Sequence, residues 1–133
     1  MPFVLDASVT ACWVFQDEEH PLAGLALDRL TTDDAIVPAL WWFEVRNILV
    51  VNERRGRVSE SVTRTFLRHL ALLPVKVDPV PDEDQVLRLA RAHRLSVYDA
   101  AYLELALRRG CPLASLDREL IAAASAVRVT PLA

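Results

Sequence analysis

The chain has 133 residues, of which 53% are hydrophobic and 25% are charged, and its net charge is −3. This length and composition predict one well-packed domain over residues 1–133 and exclude two domains of ordinary size. We expect a cytoplasmic protein without a membrane partner, because the sequence has neither a secretory signal nor an apolar run of the roughly 20 residues that span a bilayer. The negative charge argues against a wide electropositive surface but does not exclude a nucleic-acid partner.

Short apolar runs alternate with amphipathic patterns along the whole chain, which predicts alternating strands and helices. The elements expected in the first half are a strand at 3–5, helices at 7–15 and 21–30, a strand at 35–37, helices at 38–56 and 59–70, and an edge strand at 73–77. Those expected in the second half are helices from 82 and from 96 to 110, a strand at 113–116, a helix at 119–126 and a last edge strand at 127–129. This alternation is typical of an α/β domain with a mostly parallel sheet.

The stretch 94–106 predicts a helix that is apolar on almost every side. Ser96 is a suitable N-cap, and only Glu104 and Arg108 are expected to face solvent. Such a helix is buried, so Asp99 in its first turn is expected beside the core. One explanation for Asp99 is a capping box, in which its side chain bonds back to the Ser96 amide. The other is a functional site.

Three further acidic residues are expected near Asp99. Asp6 and Asp117 each end a predicted strand, and Glu44 lies in the second turn of the helix that begins at Pro38. Because the carboxyl ends of parallel strands meet at one edge of a sheet, these four acids can converge there. Carboxylates so close together repel one another unless a cation is bound, and their oxygens suit Mg²⁺ or Mn²⁺.

Three polar residues are candidates to support these acids. Ser8 and Ser115 each lie two residues from an acid and could donate hydrogen bonds to it. Asn47 lies one helical turn after Glu44, on the same face. We therefore expect a carboxylate site for a divalent metal, supported by two hydroxyls and one amide.

Four short motifs occur in order along the chain. They are Asp6-Ala-Ser8-Val9 after an apolar strand, Glu44-x-x-Asn47 on a helix that ends in Arg54-Arg-Gly-Arg57, Tyr98-Asp99-Ala100-x-Tyr102, and Ser115-Leu-Asp117-x-x-Leu120. In this order, and over the full chain length, they resemble the PIN domain in its VapC toxin form. That family often has Thr where Ser115 stands, which keeps the hydroxyl.

The resemblance implies a fold, an activity and a set of partners. The fold is a PIN-like three-layer sandwich, with a mostly parallel central sheet of four to five strands and helices on both faces. The activity is that of a metal-dependent endoribonuclease toxin, neutralised by a VapB-type antitoxin. A homodimer and a toxin-antitoxin hetero-oligomer are expected. On this resemblance Asp6, Glu44, Asp99 and Asp117 hold Mg²⁺, or alternatively Mn²⁺, and a metal-activated water attacks the RNA phosphodiester.

Other classes of protein share parts of this pattern. A haloacid-dehalogenase-like phosphatase also begins with a strand and an Asp nucleophile, but it has a second Asp in that motif and a Lys near the site. Lys76 is the only lysine, and it matches no such motif. A receiver domain, which is a binding module, has paired acids after its first strand and a late Lys, and neither is present. The four intact acids argue against a PIN fold that only binds RNA or protein.

Two surface features have more than one explanation. The consecutive aromatic residues at 41–43 either stack on bases or serve the core or a dimer interface, since three in a row cover more than one helix face. Arg54, Arg55 and Arg57 either complement the negative end of their helix or contact phosphates. The sequence leaves both alternatives open.

Overall fold

A computed structural model of the chain describes residues 1–15 and 20–133. In this part of the chain the predicted alternation of strands and helices is confirmed. The elements are β1 (Phe3–Leu5), α1 (Ala7–Cys12), α2 (Pro21–Arg29), β2 (Ala35–Pro38), α3 (Leu40–Arg54), α4 (Glu60–Leu70), β3 (Val75–Asp78), α5 (Glu83–His93), α6 (Val97–Arg109), β4 (Leu113–Ala114) and α7 (Arg118–Ala126). No helix in the described residues is long and apolar enough to cross a membrane.

The four strands form one parallel sheet in the order β3-β2-β1-β4. The chain moves from β1 through β2 to β3 and then returns to the far side of β1. With right-handed crossovers, this reversal places α1 to α4 on one face of the sheet and α5 and α6 on the other. The contacts agree, because α1 packs on α2 and α3, whereas α6 packs on α5 and against β1 and β2. The predicted helices on both faces are therefore confirmed.

The core lies where β1 and α6 meet. All three residues of β1 are fully buried, as expected for a central parallel strand covered on both faces. In α6, seven consecutive residues (100–106) are buried, so this helix has no solvent-facing side over two turns. The burial predicted for this helix is confirmed, and its first turn lies beside the core.

Local capping explains where most helices begin. Ser96, the predicted N-cap of α6, accepts a hydrogen bond from the Asp99 amide. Three further side chains accept in the same way from the amide three residues later: Ser59 from Val62, Asp82 from Gln85, and Asp117 from Leu120. The His20 ring caps α2 by accepting from the Leu22 amide. Gly110 ends α6 in the left-handed region, with φ of +60°.

Glu104 does not face solvent, and that prediction was wrong. Its side chain is 1% exposed, and its Oε1 atom accepts hydrogen bonds from Arg108 Nε at 2.6 Å and from the Asp82 amide at 3.1 Å. Arg108 also binds both carboxylate oxygens of Asp78 at 3.0 Å. A buried carboxylate needs such partners, and here they join α6 to the end of β3 and the start of α5.

The last predicted strand, at 127–129, is also absent. Arg128 has a φ of +64°, which turns the backbone away from an extended path. The chain then makes a single parallel bridge between Leu113 and Pro131. The sheet therefore has four strands, and Val129 and Leu132 instead fill the core beside β4.

Candidate active site

The sheet order brings the two acids at strand ends together. Asp6 directly follows β1, and Asp117 lies three residues after β4, which pairs with β1. The Asp6 amide donates a hydrogen bond to the Ala114 carbonyl at 3.0 Å, so the two chain segments stay paired at this edge. Glu44, in the second turn of α3, and Asp99, in the first turn of α6, complete the predicted set.

The carboxylates of the four acids act on one another electrostatically. Burial raises the pKa of Asp6, of Glu44 and of Asp99, and repulsion from neighbouring carboxylates raises each of them further. The repelling groups are Asp117 for Asp6, Asp6 and Asp99 for Glu44, and Asp117, Asp6 and, more weakly, Glu119 for Asp99. We call these four residues the acidic cluster.

Two serines hold the Asp6 carboxylate in place. Ser8 Oγ and Ser115 Oγ both donate to Asp6 Oδ2, at 2.8 and 2.7 Å. Each hydroxyl in turn accepts a backbone N–H, Ser8 from Leu116 at 3.0 Å and Ser115 from Asp117 at 3.1 Å. Each serine hydroxyl thus lies between a backbone amide of the 115–117 loop and the same carboxylate oxygen of Asp6. Burial raises the pKa of Asp6, and these hydrogen bonds lower it. The bonds therefore favour the charged form of Asp6.

The capping box accounts for only part of the environment of Asp99. Ser96 Oγ accepts a hydrogen bond from the Asp99 amide at 3.0 Å, and the Ser96 side chain also opposes the rise in the pKa of the Asp99 carboxyl. The return bond of a capping box, from the Ser96 amide to the Asp99 carboxylate, is absent among residues 20–133. The cap therefore explains why the helix begins here, but not why its acid faces Asp6 and Asp117.

Glu44 has a partner that the sequence did not identify. The hydroxyl of Tyr102 donates a hydrogen bond to Glu44 Oε1 at 2.6 Å, and the two residues are 58 positions apart in the sequence. The signal that could have found it is the spacing of Tyr102 one turn after Asp99, on the same helix face. Asn47, in contrast, is exposed and has no hydrogen-bond partner in the described chain, so its supporting role remains a prediction.

The chemistry of the acidic cluster fits a hard divalent cation. All the donors are oxygens, and within residues 1–15 and 20–133 no Lys or Arg forms an ion pair with any of the four. The repulsion that raises three of the pKa values is therefore not relieved by protein charge. In the same residues no three acidic, His or Cys side chains already stand close enough to enclose an ion. The site is a convergent set of carboxylates rather than a closed cage.

Comparison with known sequences identifies relatives over most of the chain. The sequence model described as PIN domain matches residues 3–126. Ribonuclease VapC3 of Pyrobaculum aerophilum is 33% identical over 124 residues, which cover 90% of this chain and 92% of that protein. Exonuclease VapC9 of the same organism is 38% identical over 80 residues, which cover 60% of this chain and 59% of that protein.

Solved structures share the fold. The crystal structure of PAE2754 from Pyrobaculum aerophilum superposes with a TM-score of 0.73 at 26% identity, covering 92% of this chain and 84% of that one. Mycobacterium tuberculosis VapC20, described as a sarcin-ricin loop cleaving toxin, has a TM-score of 0.61 at 15% identity, covering 91% and 94%. The phosphatase and receiver alternatives are thereby excluded. The chain belongs to the PIN domain family, in its VapC branch.

Proposed function

We propose that this protein is a Mg²⁺-dependent endoribonuclease that acts as the toxin of a toxin-antitoxin pair. The observation that supports this most directly is the acidic cluster, which has four carboxylates and no ion pair to Lys or Arg in the described chain. Without a cation such a cluster repels a phosphodiester. A bound Mg²⁺ or Mn²⁺ would polarise the phosphate and supply an activated water at neutral pH.

The residues of the chain have distinct tasks in this proposal. Asp6, Glu44, Asp99 and Asp117 would hold the metal, and Ser8, Ser115 and Asn47 would support them. The two serine hydroxyls favour the charged form of Asp6 and fix the direction of its carboxylate, because both donate to the same oxygen. The cut RNA would carry a 3′-hydroxyl and a 5′-phosphate.

An RNA without free ends tests the proposal. Purified protein is incubated with a circular RNA in Mg²⁺ and, separately, in EDTA. We expect the circle to be opened in Mg²⁺ and to stay intact in EDTA. An exonuclease is the second candidate, because one relative is named as such. It would degrade a linear RNA of the same sequence and leave the circle untouched, and cleavage that persists in EDTA would contradict the metal.

Mg²⁺ or Mn²⁺ is expected to raise the melting temperature of the protein. An ion that binds only the folded state stabilises it by about 2.7 kcal/mol at a concentration 100 times its Kd. Differential scanning fluorimetry over a series of MgCl₂ concentrations measures this, with NaCl at equal ionic strength as the control. An equal shift in NaCl would indicate general screening of charge instead of a site.

Exposed aromatic side chains lie at the start of α3, the helix that carries Glu44. Trp41 is buried, but its neighbours Trp42 and Phe43 are 49% and 68% exposed, and Arg46 stacks 4.0 Å over the Trp42 ring. A separate open groove of about 750 Å³ lies at the other end of this helix, between the end of α1 and the loop that joins α3 to α4. We propose that the antitoxin covers this apolar surface. The homodimer and the cytoplasmic location remain predictions.

The cognate antitoxin is expected to project an Arg from its C-terminal segment to Asp6, Glu44 or Asp99. A guanidinium binds carboxylates bidentately and would compete with the metal for the same oxygens. Replacing that Arg by Ala should weaken inhibition of cleavage more than it weakens binding, since the apolar contacts remain. Cleavage assays and calorimetric titration with both antitoxins measure the two effects. Equal inhibition by the Ala variant would show that the apolar contacts alone block the site.

A further inference from the structure

The direction of the Glu44 carboxylate depends on one hydrogen bond. In the described chain, Tyr102 is its only side-chain donor, at 2.6 Å from Oε1, and Oε2 has no hydrogen-bond partner. Asp6, in comparison, receives two serine hydroxyls, and Asp117 is fixed by the Leu120 amide. A glutamate has one more rotatable bond than an aspartate, so Glu44 has the most freedom to lose, and a single side-chain hydrogen bond restricts it.

Tyr102 is a rigid donor. Its side chain is 0% exposed, in the middle of the fully buried stretch of α6, so the ring cannot turn away from Glu44. Burial, with the nearby carboxylates of Asp6 and Glu44, raises the pKa of Tyr102 well above its ordinary value. The hydroxyl therefore keeps its proton at any physiological pH. A length of 2.6 Å is in the range of a charge-assisted bond between a hydroxyl and a carboxylate.

The same hydroxyl connects the helices that carry two of the four acids. Tyr102 lies one turn after Asp99 on α6, and it reaches Glu44 on α3. The charge of Asp6, at the junction of β1 and α1, is close enough to Tyr102 to raise the pKa of the phenol.

We propose that Tyr102 is a positioning residue that fixes Glu44 toward the acidic cluster, with Oε1 held by the phenol and Oε2 left for the metal. This inference rests on the proposed function, in which Glu44 is a metal ligand. Tyr102 acts on metal affinity through Glu44 alone and does not touch the RNA. Its removal should therefore change metal binding and kcat but not the KM for RNA.

The test compares Tyr102→Phe with Tyr98→Phe in the full-length protein. Tyr98 is the matched control, because it lies one turn earlier on the same helix, is 63% exposed and has no hydrogen bond in the described chain. Mn²⁺ binding to metal-free protein is measured by calorimetry. We expect roughly tenfold weaker binding for Tyr102→Phe, the usual effect of losing a group that orients a ligand, and no change for Tyr98→Phe. The KM for RNA should stay constant while kcat falls.

A double-mutant cycle with Glu44→Gln separates positioning from a general structural role. If Tyr102 acts through Glu44, Tyr102→Phe should not weaken Mn²⁺ binding any further in the Glu44→Gln background. An equal loss in both backgrounds would overturn the inference, and so would wild-type affinity in Tyr102→Phe alone. A melting temperature that collapses without metal would assign the hydroxyl to the core instead. Failure of the wild-type protein to bind Mn²⁺ would contradict the proposed function itself.

Discussion

Replacing Asp99 by Asn is expected to leave the protein folded and to reduce RNA cleavage by roughly a hundredfold or more. The Asp99 backbone amide, not its carboxylate, makes the bond to Ser96 Oγ that begins α6, so the helix keeps its start in this variant. The carboxamide is a poor ligand for Mg²⁺, which prefers charged oxygens. Circular dichroism and single-turnover cleavage measure the two effects.

Ser96→Ala is the complementary control for Asp99. It removes the cap and should cost about 1 kcal/mol of unfolding free energy, with cleavage largely retained under conditions where the variant is folded. Chemical denaturation measures that loss. Metal-dependent cleavage at the wild-type rate in Asp99→Asn would show that this carboxylate is not a ligand.

Asp6→Asn is expected to abolish cleavage while making the metal-free protein equally stable or more stable. The amide oxygen of the variant can still accept from Ser8 and Ser115, which donate to Asp6 Oδ2 in the wild type. What disappears is a buried negative charge beside Asp117 and Glu44. Urea denaturation in EDTA gives the comparison, and a large loss of stability at every pH would assign Asp6 a structural role.

The pH dependence of that comparison has a definite sign. The pKa of Asp6 is raised in the folded state above its ordinary value of 3.8, so between these two values the folded protein binds a proton that the unfolded chain has released. This contribution to stability is complete below pH 3.8 and is lost as the pH rises through the folded pKa. The Asp6→Asn variant has no titrating group at this position, so its stability does not fall in this way as the pH rises. The stability of the variant relative to the wild type should therefore increase as the pH rises from below 3.8 toward neutrality.

Features set by neighbouring residues could be predicted from the sequence. The cap at Ser96 follows from residue type next to an apolar pattern, and the structure has it. The acids Asp6 and Asp117 followed from apolar runs that end at a carboxylate. Their convergence needed only the rule that parallel strands end at one edge.

Features set by distant partners could not be predicted. The position of Glu104 in the helical pattern predicts a surface residue. Its buried carboxylate is stabilised by hydrogen bonds from Arg108 and from the Asp82 amide, which is 22 positions away in the sequence. The bond between Tyr102 and Glu44 spans 58 positions. At 127–129 the apolar pattern suited a strand, but Arg128 has a positive φ, which an arginine rarely adopts and which the sequence therefore does not indicate. In each case tertiary contacts override a local preference.

The strand order also decides when the acidic cluster is complete during synthesis. Ser115, which holds Asp6, is added 109 residues after it, and β4 is the last strand to leave the ribosome. A nascent chain without β4 lacks a neighbour of β1, one hydroxyl donor and the fourth acid. Helices α3 and α4, which carry the proposed partner surface, are by then already made. Since a domain folds as a unit, the proposed nuclease site can form only after this last strand and Asp117 have been made.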